Sequence, residues 1–124
     1  MKLLTELETG FELRLDDKKV QSSEERFKTL VLGAVDSALS ILGNSPKLIV
    51  YRYLESRFGL KQEDIPSNIA NFTSALESIF GDAAVIIEAR ILQILHRKVR
   101  GFKYFPERQE LSLVSYVESL RAFL

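Results

Sequence analysis

From Ser22 onward, apolar residues recur every three to four positions and are interrupted by glycine and proline, the pattern of successive amphipathic helices. Ser22-Ser23-Glu24-Glu25 has the spacing of a capping box, in which a serine hydroxyl and a glutamate three places later satisfy each other's orphan backbone donors. The stripe Phe27, Leu30, Val31, Ala34, Ala38, Ile41 and Leu42 then predicts a first helix over 23–42, stopped by Gly43. In Asn44-Ser45-Pro46, Ser45 is a candidate N-cap and Pro46 fits the first helical position, so a second helix is predicted to run to Phe58 before Gly59. The polar stretch 60–65 reads as a connection with room for a short turn. Pro66 is expected to open a third helix carrying Ile69, Phe72, Leu76, Ile79 and Phe80, with Gly81 as its stop. Asp82 is the predicted cap of a fourth helix through Val99, followed by breaks at Gly101 and Pro106. A fifth begins near Glu107, its stripe Leu113, Val114, Val117, Leu120 and Leu124 lying opposite Ser112, Ser115, Glu118 and Ser119.

Residues 1–21 read differently. Phe11-Glu12-Leu13-Arg14-Leu15 alternates with period two before the turn-like Asp16-Asp17-Lys18-Lys19, which signals a strand. A strand needs a partner for its backbone groups, and Phe102-Lys103-Tyr104-Phe105 is the other segment rich in strand formers. Two readings stand, a two-stranded ribbon of residues 11–15 with 102–105 and an extended arm lying on the helices. The expected fold is all-α, a compact bundle of about five helices with that candidate ribbon. It forms one domain over 1–124, with 1–21 as arm or strand and 22–124 as the bundle.

The 124 residues, 46% apolar and 27% charged, suit one globular domain able to bury about two-thirds of its unfolded surface, which excludes a multidomain enzyme. Seventeen Lys plus Arg balance seventeen Asp plus Glu, so binding to nucleic acid or an anionic surface would need a local patch. The absence of cysteine excludes disulfides, thiolate metal sites and a cysteine nucleophile. The N-terminus meets acid at Glu6, too early for a signal peptide, and no apolar run approaches the roughly 20 residues of a membrane span. A cytoplasmic protein with no membrane partner is expected.

The order of helices one to four, carrying Ala38-Leu39, Leu42-Gly43, Phe58-Gly59-Leu60, Glu63-Asp64-Ile65-Pro66, Phe72, Ala75-Leu76, Ile79-Phe80-Gly81, Glu88 and Leu95-His96, resembles a small archaeal helical domain, the Nitrosopumilus output domain, type five. The resemblance covers about residues 30–99. It implies a helical fold and an output role in signalling, and it carries over no ligand or catalytic residue.

Little in the chain points to chemistry. His96 is the only histidine, so no helical zinc pair can form, and it is expected to cover the end of the fourth helix beside Arg97, Lys98 and Arg100. No glycine spacing makes a phosphate cradle and no nucleophile elbow is present. The expectation is no enzyme, no metal and no cofactor. Gly33 lies on the polar side of the first helix with Thr29, Asp36 and Ser40, where glycine costs about 1 kcal/mol against alanine; close helix packing, a ligand and a tolerated defect are the readings. Arg90, Gln93, Arg97 and Arg100 share one narrow face of the otherwise apolar fourth helix, and with Lys103 among aromatics they form a candidate basic binding face for nucleic acid. The rest of that helix predicts burial on several sides, which makes Glu88 a candidate buried carboxylate needing a cationic or hydroxyl partner, or a proton. The first helix is apolar over about 200°, more than one-sided packing requires. Leu32 and Leu39 there, and Tyr116, Leu120 and Phe123 in the fifth helix, are therefore candidate interface residues. The chain reads as a non-enzymatic regulatory or signalling-output module acting through protein–protein contact, with a homodimer expected; a nucleic-acid-binding domain is the alternative.

Overall fold

The periodic segments become five helices in a computed structural model of the chain, which describes residues 22–99, 101–102 and 112–124. They are α1 (Ser23–Leu39), α2 (Asn44–Phe58), α3 (Ile69–Phe80), α4 (Ala84–Lys98) and α5 (Leu113–Phe123). Short 3-10 turns at Ser40–Leu42, Gln62–Ser67 and Gly81–Ala83 make the tight connections, and the described residues include no strand. Residues 11–15 and 103–105 of the candidate ribbon, and the predicted helix start near Glu107, lie outside the described residues.

The capping box forms as read: the Glu25 amide donates to Ser22 Oγ at 3.1 Å and the Ser22 amide to Glu25 Oε1 at 3.4 Å. Other boundaries move. The predicted end of the first helix tightens into the 3-10 turn before Gly43, whose φ of 104° suits glycine. The second helix begins at Asn44 rather than at Pro46, with no side-chain cap. Pro46 thus sits within the first turn, where an absent amide breaks no helical bond. Pro66 does not open α3. It lies with Ile65 in the 3-10 turn, and burial of both side chains takes the chain into the core before α3 starts at Ile69. Asp82 likewise falls inside a 3-10 turn and makes no capping bond to α4.

α1 and α4 pack most extensively on each other, and α1 also meets the Gln62–Ser67 turn and α5. Phe27, Val31, Ala34, Val35, Ala38 and Leu39 are therefore all buried, which explains the breadth of the first helix's apolar arc. The expectation that α4 is surrounded holds only for Ala84, Ile87, Ile91, Leu92 and Leu95, since Val85, Ile86 and Ala89 face solvent. α5 closes the far side through Leu113, Tyr116, Val117 and Leu120. Arg121 of α5 reaches Glu24 of α1 in a two-pronged ion pair (2.6 and 3.3 Å) and lies 5.1 Å from the centre of the Phe27 ring.

α2 is the peripheral helix. It fully buries only Val50 and Leu54 and is fixed to α1 by polar bonds instead. Asp36 accepts from Lys47 Nζ at 3.1 Å on one oxygen and from the Tyr51 hydroxyl at 3.0 Å on the other. Lys47 also donates to Ser40 Oγ at 3.3 Å, and that hydroxyl donates to the Asp36 carbonyl at 2.8 Å. Burial, then the bond to Asp36 and its negative charge, hold the Tyr51 phenol well above its ordinary pKa. Folding favours the protonated phenol, so its contribution is complete below about pH 10 and is lost as pH rises beyond that. Tyr51→Phe should cost about 1 kcal/mol in urea denaturation at pH 7. The difference from wild type should shrink as the buffer is taken above about pH 10, where the unfolded chain releases the phenol proton that the native state retains.

Candidate functional site

The residues picked out by sequence are dispersed. Leu39, Tyr116 and Leu120 are core residues, 0%, 3% and 0% exposed, and so are not available to a partner as an open surface. Leu32 is half-buried against the core. Phe123 is half-exposed and packs on Phe102, with ring centroids 5.1 Å apart; Phe102 is itself edge-on to Tyr116 at 5.3 Å. Within the candidate basic face, Arg97 and Gln93 are exposed, but Arg90 is partly withdrawn. Its Nη1 donates to Gln93 Oε1 at 3.4 Å and its Nε is shut off from solvent without a bond. Arg100 and Lys103 lie outside the described residues. His96 is exposed at the end of α4, with Nδ1 3.5 Å from the Tyr116 hydroxyl.

Of the three reliefs expected for Glu88, no cation or hydroxyl bonds it among the described residues, which leaves the proton. One carboxylate oxygen, Oε2, is cut off from solvent and has no hydrogen-bond partner, although the residue as a whole is only half-buried. Burial first, and the negative charge of Glu77 on α3 second, push its pKa up. Proton uptake, not a cation or hydroxyl, is the relief that this position offers. Gly33 is also resolved: among the described residues a Cβ there would meet only Lys98 Nζ, at 3.7 Å, an ordinary contact with the movable end of a side chain. No close helix approach among the described residues requires glycine.

A surface the sequence reading did not single out is an apolar groove among the described residues. Ala38, Ile41 and Leu42 at the end of α1 meet Phe80, Ala83, Ile86 and Ile87 around the α3–α4 connection and enclose a groove of about 210 Å³. Ile41 and Ile86 project beside it, 63% and 71% exposed. Among the described residues, eight of the nine exposed large apolar side chains belong to residues 41–58 and 85–86, so their uncovered apolar surface is concentrated on this end and on α2. A signal was present: Ile41-Leu42, Ile79-Phe80 and Val85-Ile86 are adjacent apolar pairs at helix ends, and a helix cannot turn both members of such a pair fully inward.

Elsewhere a more open cleft of about 510 Å³ combines Arg26, Thr29 and Lys98 with Leu30, Val99, Phe123 and Leu124. Among the described residues no three His, Asp or Glu side chains are placed to hold a metal. No described helix is long and apolar enough to cross a membrane. No family model, curated protein or solved structure matches the chain.

Two substitutions test these placements. Because the folded state binds the Glu88 proton more tightly than the unfolded chain does, the stability it confers is complete below the ordinary carboxylate pKa and fades as pH rises through the raised value. Glu88→Gln should therefore stabilise the protein modestly at pH 7, by less than about 1 kcal/mol given its exposure, and the gain should vanish below about pH 4. Gly33→Ala should raise stability by about 0.5–1 kcal/mol in thermal or chemical denaturation, since the added methyl meets ordinary space and the helix gains propensity.

Proposed function

We propose that this protein is a non-enzymatic regulatory module acting by protein–protein contact, and that the apolar groove between the end of α1 and the start of α4 receives a second copy of the chain. The observation that carries the reading is the pairing of a depression with projections on one surface. A twofold interface must be complementary to itself, and a patch holding both a groove of about 210 Å³ and the protruding Ile41 and Ile86 meets that requirement. Each copy's isoleucines then fill the other's groove. The resemblance to an archaeal output domain supports a role in signalling output, and the cysteine-free composition supports a cytoplasmic setting.

Light scattering over a range of concentrations should show the mass rising from 14.1 kDa toward twice that value. Ile86→Asp places a carboxylate at the centre of the contact and should weaken association about 100-fold or more, close to 3 kcal/mol, with an unchanged circular dichroism spectrum. Leu39→Glu, by contrast, should unfold the chain. Association through this apolar surface should be nearly independent of salt, whereas binding of duplex DNA by the Arg90–Arg97 face would fall steeply with it. A wild-type monomer at every concentration overturns the dimer.

A further inference from the structure

A second uncovered surface differs in chemistry from the groove. On a helical wheel, Leu48, Ile49 and Arg52 lie on the side of α2 away from the buried Val50 and Leu54, Tyr53 lies on the flank, and Arg57, nearer Val50 in projection, is exposed in the last turn. Leu48, Ile49 and Tyr53 are 54%, 63% and 39% exposed. The Arg57 guanidinium lies 5.7 Å from the centre of the Tyr53 ring. Neither Arg52 nor Arg57 enters an ion pair among the described residues, while Lys47 on the inner side is neutralised by Asp36. Glu55 is the helix's only acid. The outer face of α2 is thus apolar and cationic at once.

The complementary chemistry occurs in the chain's own N-terminal segment. Residues 3–12 contain Leu3, Leu4, Leu7 and Phe11 with Glu6, Glu8 and Glu12, and no cation. We infer that this acidic, leucine-rich segment docks on the outer face of α2 in the same chain, with its carboxylates against Arg52 and Arg57 and its apolar side chains over Leu48, Ile49 and Tyr53. The tether is long enough. Asp36, where α2 is fastened, lies about 20 Å along α1 from Ser22, and residues 13–21 span up to about 30 Å. Two rival surfaces fit less well. The groove beside Ile86 has no cation among its lining residues to meet three glutamates. The cleft containing Arg26 and Lys98 has cations, but its one strongly exposed apolar side chain, Phe123, already packs on Phe102.

Because the protein contains no cysteine, a nitroxide can be attached to the full chain at one site, Thr5→Cys. In the ¹⁵N-labelled protein, the amide signals of Leu48, Ile49 and Tyr53 should be selectively lost relative to those of α3, and should return on reduction of the nitroxide. In the same spin-labelled chain, Arg52→Glu with Arg57→Glu should restore them while leaving the circular dichroism spectrum unchanged, since both side chains are exposed. A mixture of ¹⁵N-labelled chain without nitroxide and unlabelled chain carrying it should show no loss. Broadening confined to Leu30 and Phe123, to the groove around Ile86, or to the mixed sample alone would overturn the inference, as would none at all. These outcomes are independent of dimerisation through the groove, which Ile86→Asp tests separately.

Discussion

The requirement that α1 be covered on more than one side organises the molecule. Its apolar positions take up too much of the circumference for a single neighbour, so α4, the Gln62–Ser67 turn and α5 all pack against it. Burial of Ile65 and Pro66 belongs to the same requirement, because the turn that carries them closes a side that no helix occupies. With these places taken, α2 is left at the edge, with two fully buried side chains of its own. The uncovered apolar surface of α2 thus follows from the covering of α1.

Two carboxylates show how polar groups are treated in such a small bundle. Asp36 is at the α1–α2 junction and accepts from both Lys47 and Tyr51, so its charge is compensated and the junction is defined in angle and register. Glu88 faces α4's neighbour α3 without such compensation, with Glu77 as the nearby charge, and the burial of one oxygen favours its neutral form. The residue types are alike; the partners supplied by the adjacent helix differ. Only the first of the two fastens helices together.

The proposed contact surfaces occur where helices end or lack a neighbour. At the α1 terminus and the α3–α4 connection, adjacent apolar pairs leave one or both members outside the core, and their convergence produces a groove. On α2, the absence of an outer layer leaves aliphatic, aromatic and cationic side chains side by side. The first surface is nearly devoid of charge and suits a copy of itself; the second suits an acidic amphipathic segment. Neither has the clustered nucleophiles, bases or metal ligands of a catalytic site.

Local signals in the sequence determined the helical class, the capping box at Ser22 and Glu25, the stops at Gly43, Gly59 and Gly81, and the inward stripe of α5. These depend on backbone sterics and on hydrogen bonds within a few residues, which composition and spacing express directly. The helix starts at Pro46, Pro66 and Asp82 were misplaced because 3-10 turns and burial of neighbouring residues compete with local capping preference. Tertiary structure alone decided that Leu39, Tyr116 and Leu120 face their own core while Ile41 and Ile86 face out, since periodicity gives the width of an apolar arc but not how many neighbours cover it. It also decided that the charge acting on Glu88 is that of Glu77 and not that of a cation. Both outcomes depend on which helices become neighbours, a property of the packed chain as a whole and not of any segment read by itself.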